Sequence, residues 1–335
     1  MDIYSSCAGA SETHANSVGD VIRKTRAHFT AIYTPVLCRF PPENSIRPCI
    51  LKTFCPEPLL PHTDYNPRTG VYTLKPSAHY LSHEWNLLQN RFHDELALNM
   101  EVNLNSGGLH PVFPLIPIRE RDDMLMIDTG SSLSVDEFVK AFRPHRMTAA
   151  YLRLALTMTQ RLTAAVAAVH RTCLHLDITP QSVYIDLQGD LSDPKTVQSD
   201  FSVRLLDLSA ALRNHDGCIP QKTGCMYTEG YSDVRLKGIA PCIADECCDL
   251  FSIAAVLFFL LTGDSPRTDC ETFYAPLPCQ GPLSCELKRQ KLEDLISAAL
   301  RLHPRFHCAD LALEEFSREL DDIMNSLFSK QDSVI

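Results

Sequence analysis

Between Thr148 and His170 the apolar residues Tyr151, Ala155, Met158, Leu162, Ala165 and Val169 return at intervals of three and four. That spacing puts them on one stripe and predicts a long amphipathic helix. Asp249 opens a different pattern, apolar on nearly every face through Leu261 and ending at Gly263. A helix of that kind must be a core helix, each buried Leu or Phe contributing about 1.5–3 kcal/mol. Leu292–Leu302 and Asp310–Phe328 read as amphipathic closing helices. Upstream, Ser77–Phe92 reads as a helix: Ser77 can cap it, and Tyr80, Leu81, Glu84, Leu87, Leu88 and Arg91 have helical spacing. A shorter helix is expected over Ser134–Phe142. Early strand composition runs from Val21 to Cys38, with further strands over Pro48–Phe54, Val71–Lys75, Val112–Ile118, Met124–Asp128, Val183–Asp186 and Val203–Leu206. The Pro56, Pro58, Pro61 and Pro67 stretch is expected to hold no regular element. Leu187–Ser202 is a long polar connection.

Asp128-Thr129-Gly130-Ser131-Ser132 is the first convincing linker. It separates a strand-rich lobe over 21–128, preceded by an extension over 1–20, from a helical lobe over 129–335. An apolar fraction of 45% and a charged fraction of 21% over 335 residues support a sizeable core. The net charge of −10 argues against nucleic acid or an anionic membrane surface as the main partner and favours basic proteins. The longest apolar run, Leu250–Thr262, is shorter than the roughly 20 residues a bilayer span needs, so no transmembrane segment is expected.

Fourteen cysteines, nine of them between Cys218 and Cys308, change the picture. No C-x-x-C has a matching partner, which argues against zinc. An oxidising compartment and several disulfides are expected, with buried thiols acting as small hydrophobes as the alternative. Met1-Asp2-Ile3-Tyr4 does not start a signal peptide, so a secreted form would take its leader from outside this sequence. No N-glycosylation sequon occurs.

The candidate chemistry centres on His175-Leu176-Asp177-Ile178-Thr179-Pro180-Gln181-Ser182, which runs into the strand Val183–Asp186. Asp207-Leu208-Ser209 follows the next strand, and Tyr227-Thr228-Glu229 lies about 20 residues further on. The apolar helix headed by Asp249 ends in Thr262-Gly263-Asp264-Ser265-Pro266. Lys52 sits in an apolar strand, Lys75 in a rival one, and Glu84 on the helix that follows. After Gly19 no glycine appears until Gly70, so nothing forms a glycine-rich phosphate lid.

In this order the segments resemble the protein-kinase family over residues 20–328, Asp249–Pro266 being the most specific match. The resemblance implies an α+β, two-lobed protein kinase-like fold, with a small β-rich lobe and a large helical one. It places Asp177 at the catalytic-base position, Asp207 at one metal position, and Lys52 or Lys75 with Glu84 as the lysine–glutamate pair. Leu88, His175, Leu208 and Asp249 match the stacked spine between lobes, and Glu229 would pair with a late arginine, a position that His307 takes here.

The departures lie in the same site. Ser182 stands for the second metal ligand, Thr179 for a lysine, and Leu176 for an arginine that receives an activation-loop phosphate. If Lys52 is the strand lysine, Ile50 takes a small residue's place against adenine and Tyr184 a leucine's place beneath it, so both fill the pocket. The expectation is a pseudokinase without phosphoryl transfer or nucleotide cofactor, its catalytic and metal residues vestigial. The alternatives are an atypical active Ser/Thr kinase using ATP and magnesium and, ranked last, a small-molecule phosphotransferase. The cysteine-rich large lobe, absent glycine loop and long insertions are similar to the secreted rhoptry kinase and pseudokinase family of Toxoplasma and its relatives. That likeness implies a protein-binding scaffold or allosteric module in the parasitophorous vacuole or cyst wall.

Overall fold

Two ten-residue strands, β1 (Ala31–Phe40) and β2 (Ser45–Phe54), pair antiparallel along their whole length. The computed structural model describes residues 31–40, 45–66, 71–119, 121–189, 193–198, 200–213, 227–237, 244–266, 277–300 and 312–328. Gly19, and with it the question of a phosphate lid, lies outside the described residues. These fall into two units, one comprising the described residues up to Leu104 with Val112–Ser131, the other Asn105–Pro111 and the described residues from Ser132 on.

In the first unit the described part of the proline-rich stretch is not an irregular loop, Pro67 lying outside the described residues. Glu57–His62 forms a 3-10 helix, and β3 (Thr63–Asn66) pairs antiparallel with β4 (Val71–Leu74) as a separate hairpin. Pro58 and Pro61 are tolerated because a short 3-10 turn needs few backbone donors. A second 3-10 turn, Pro76–Leu81, leads into α1 (Ser82–Asn105), which runs far beyond the expected end at Phe92. β5 (Leu115–Ile118) and β6 (Arg121–Asp128) complete a sheet of order β1-β2-β6-β5. Strand alternation sorts its side chains. Ala31, Tyr33, Ile50, Lys52, Phe54, Leu125, Ile127 and Leu115 share one face by register, and the Phe54 ring meets Trp85 and Phe92 of α1 edge-on. Val36, Cys49 and Met126 are the buried centre of the opposite face.

The second unit opens with β7 (Leu133–Ser134) and α2 (Val135–Ala141), where Ser134 and Glu137 form a complete capping box. The apolar stripe becomes α3 (Ala149–Val169), with Thr148 capping its start. β8 (Cys173–Leu174) precedes the candidate loop. β9 (Val183–Asp186) pairs with β10 (Ser202–Leu205) on one side and β7 on the other, and β11 (Leu212–Arg213) pairs back to β8. The core helix α4 (Glu246–Thr262) is buried nearly all round, as its sequence requires. It starts at an Asp245 cap rather than at Asp249. The Tyr151 hydroxyl donates to Leu260 O at 2.6 Å, which ties α3 to α4. α5 (Glu286–Leu300) and α6 (Ala312–Phe328) close the unit.

Gly263 ends α4 in the left-handed region at φ 80°, and a Cβ there would lie 2.1 Å from a guanidinium nitrogen of Arg146, a side chain that bonds Thr262 O. Gly263→Ala is therefore expected to lower stability by about 1–2 kcal/mol, from backbone strain and the displaced arginine, read as a lower urea midpoint.

Candidate functional site

In the first unit Lys52 lies in β2, two residues before its end at Phe54, with Tyr33 directly opposite on β1. Its ammonium is 5.3 Å from the Tyr33 ring centre and 5.9 Å from that of Phe92, and it is ion-paired to the Glu95 carboxylate. Both charged side chains are buried, Lys52 at 0% exposure. The glutamate partner is thus Glu95, not Glu84, which is exposed in the first turn of α1. The two lie eleven residues apart, about three helical turns, so they project from one face and periodicity alone cannot choose between them. Lys75 is settled as well: it follows the separate β4 and donates to Pro61 O at 3.1 Å.

Moving the glutamate moves its neighbours. Leu88, expected in the spine four residues after Glu84, is half-buried. Four residues after Glu95 comes Asn99, which is buried and donates to Phe113 O at 2.8 Å while accepting from Leu115 N at 3.2 Å. An amide there carries a donor and an acceptor to two backbone groups that no leucine could satisfy. Ile50 is buried on the same face as Lys52.

In the second unit Asp249 organises the loop. Its carboxylate accepts from His175 N at 2.7 Å, Leu176 N at 2.7 Å and His170 Nε2 at 2.8 Å. Burial alone would raise the Asp249 pKa, but the His170 hydrogen bond and nearby imidazoles hold it below its usual value. For His170 burial pulls the other way, and the Asp249 hydrogen bond with the Glu246 carboxylate 3.7 Å away outweighs it to bring the imidazole to about 9. Leu176 is held at φ 63°, a left-handed conformation costing a non-glycine residue about 1–2 kcal/mol. The bond from its amide to Asp249 keeps it there.

Asp177 is buried, and its Oδ1 accepts from the Thr228 hydroxyl at 2.8 Å. Thr179, read as standing in for a lysine, is buried. The Ser182 hydroxyl accepts from Thr179 N at 2.8 Å and from Thr179 Oγ1 at 3.3 Å. It shares its own hydrogen between Asp177 O and Thr179 O, each at 3.1 Å. A hydroxyl has one donor and two acceptor sites, so its capacity is filled inside the loop. Asp207 is buried, its Oδ1 accepting from Ser209 N at 2.9 Å, and Leu208 beside it is buried too. Tyr184 is buried in β9, opposite Arg204 of β10 and Ser134 of β7.

A magnesium–nucleotide complex held at these positions needs an oxygen ligand at each of the two metal sites. Asp207 offers a carboxylate, but the oxygen at position 182 is already committed on every side. The residues present do not fit a two-ligand magnesium site.

Glu229 is exposed, and its expected partner His307 lies outside the described residues. Arg235 reaches both Asp245 oxygens at 3.0 Å and Asp233 at 2.7 Å. This joins the turn at Val234–Leu236 to the cap of α4. No motif in the sequence announced Arg235, Asn99 or Glu95; the length of α1 was the one available signal for the last two. None of the eight described cysteines is in a disulfide, and Cys218, Cys225, Cys242, Cys270 and Cys308 of the cysteine-rich stretch lie outside the described residues.

No helix among the described residues is long and apolar enough to cross a membrane. No family model matches the sequence. Among solved structures the chain is similar to the PknI kinase domain of Mycobacterium tuberculosis, with a TM-score of 0.53 and 16% identity over 95% of this chain and 97% of that one. A double mutant of the same domain matches with a TM-score of 0.51 and 17% identity over 95% and 99%. Identities that low speak for the backbone and not for the chemistry: the chain has the two-lobed α+β fold of protein kinases.

Proposed function

We propose that this chain is a pseudokinase, a kinase fold that transfers no phosphate and acts by binding other proteins. The observation that carries the reading is the Ser182 hydroxyl, whose donor and both acceptor sites are taken by its own loop. Phosphoryl transfer is catalysed almost entirely by positioning and charge neutralisation. Here the second metal ligand is missing, and the neutral Thr179 replaces a cation. A net charge of −10 favours a basic protein as partner. Membership of the secreted rhoptry family and residence in a vacuole or cyst wall belong to the same proposal, resting on the sequence resemblance and the fourteen cysteines.

Thermal unfolding with and without millimolar ATP and magnesium is the test. The expected midpoint is unchanged, in the wild type and in Asp207→Ala alike, because a ligand that does not bind the native state cannot stabilise it. Micromolar binding that depends on Asp207 would overturn the reading.

A second reading has its own support, since the buried Lys52–Glu95 pair and the Thr228–Asp177 hydrogen bond are both in place. An atypical active kinase would autophosphorylate, and Asp177→Ala would abolish the signal.

A further inference from the structure

The outer face of the β1–β2 pair holds a feature that phosphoryl transfer, present or absent, does not explain. Val36 lies opposite Cys49, and Cys38 opposite Arg47, so the two cysteines are diagonal neighbours on one face of adjacent antiparallel strands. Cys49 is buried, at 1% exposure, in a cluster with Val36 and Met126. Cys38 is half-buried and packs against that cluster. The Cys49 thiol donates to Arg47 O at 3.7 Å, and the neighbouring Cys38 thiol pushes its pKa up. Most of the surrounding side chains are apolar: Phe40, Leu51, Ile116 and Ile118. Diagonal neighbours on a ribbon lie about 7–8 Å apart, just beyond the roughly 4.4–6.8 Å between Cα atoms that a disulfide spans, so closure requires β1 and β2 to draw together locally.

We propose that Cys38 and Cys49 are a redox-responsive pair that closes to a cross-strand disulfide under a small-molecule disulfide oxidant such as oxidised glutathione. The half-buried Cys38 thiolate attacks one glutathione sulfur, releasing one glutathione thiol and leaving a mixed disulfide. The Cys49 sulfur then loses its proton to solvent and displaces the second glutathione thiol. Two protein thiols are oxidised and one small disulfide is reduced to two thiols. The order of attack follows from the environments. The neighbouring Cys38 thiol and burial both hold the Cys49 thiol above its ordinary range, so Cys49 is the slow resolving partner and the less buried Cys38 the entry point. The closed bond would pin β1 to β2 three residues before Lys52, restraining the register of the strand that carries the buried pair. The inference is independent of whether the chain binds nucleotide.

Peptide mapping of the full chain tests it. Trypsin places Cys38 in the peptide 27–39 and Cys49 in the peptide 40–52, because Pro48 blocks cleavage after Arg47. After incubation with oxidised glutathione and alkylation of remaining thiols, the expected product is the linked pair of these peptides, lighter than their sum by two hydrogens and separated by a reductant. Cys38→Ser is expected to leave Cys49 fully alkylated, and Cys49→Ser to leave Cys38 as a stable glutathione adduct. The oxidised wild type should also unfold at a temperature several degrees above the reduced form, a shift absent from both variants. The proposal fails if Cys38 in the wild type stays as the glutathione adduct, pairs with any other cysteine, or remains alkylatable together with Cys49. The mapping needs only the wild-type protein, so a poorly folding variant does not protect the proposal.

Discussion

Asp249→Asn is expected to destabilise the helical unit by about 3–5 kcal/mol, the loss that follows when one partner of a buried, hydrogen-bonded ion pair is removed. The substitution keeps the side chain's shape. It takes away the negative charge opposite His170, and it leaves one acceptor oxygen where the carboxylate used two for His175 N and Leu176 N. Leu176 at φ 63° then loses the bond that holds it in a left-handed conformation. Urea unfolding followed by far-ultraviolet circular dichroism gives the value, and a loss below about 1 kcal/mol would show that Asp249 is not the organiser of this loop.

The same pair sets a pH dependence. His170 has a folded pKa of about 9, above its ordinary 6.5. Its protonated form therefore contributes fully below the ordinary value, and the contribution is lost as pH rises through about 9. Asp249 is shifted the other way, so its contribution is present above 3.8 and fades as pH falls below that value. Both shifts describe one interaction and are counted once. Wild-type stability should fall by on the order of 3 kcal/mol between neutral pH and the far side of the His170 transition, and His170→Gln should flatten that slope. An equal alkaline slope in the variant would assign the effect to other groups.

The second large effect concerns the β-rich unit. Lys52→Met alone leaves the Glu95 carboxylate buried and uncompensated, and Glu95→Leu alone leaves the Lys52 ammonium likewise, with side-chain exposures of 0% and 3% in the native pair. Each single substitution is expected to lower stability by about 3–5 kcal/mol. The double variant, with two apolar side chains of similar size, should recover most of the loss, giving a coupling energy of at least about 2 kcal/mol in the cycle. Additive single effects would mean that the two charges do not depend on each other. Glu84→Ala is the control: an exposed residue of the first helical turn should change stability by no more than about 0.5 kcal/mol.

These experiments separate what was legible in the chain from what was not. The stripe from Tyr151 to Val169 gave α3 to within a residue at each end, because a 3.6-residue period over six turns has no competing reading. The all-round apolar run gave α4 as a core helix, though its start moved back to the Asp245 cap, since caps are local hydrogen bonds that leave only a faint compositional trace. The proline-rich stretch misled because proline excludes long helices and central strands but not a 3-10 turn followed by a four-residue hairpin strand. Counting cysteines gave no pairing. The eight described ones are not in disulfides, and the diagonal approach of Cys38 and Cys49 became visible only with the β1–β2 register.

The sequence by itself determined the kind and order of the elements and the segments where kinase chemistry would sit. Hydrophobic period is a local property, and every turn of a helix or pair of strand residues repeats the same vote. Tertiary structure decided which chemically equivalent residues meet. Glu95 rather than Glu84 pairs with Lys52, Asn99 four residues on bonds Phe113 O, and Arg235 ties Asp233 to Asp245 at the cap of α4. It also decided that the Ser182 hydroxyl turns inward to its own loop. These choices join groups such as Lys52 and Glu95, 43 residues apart, or His170 and Asp249, 79 apart. They depend on the length of a helix and the register of a strand to within a single residue, and no local pattern carries that information.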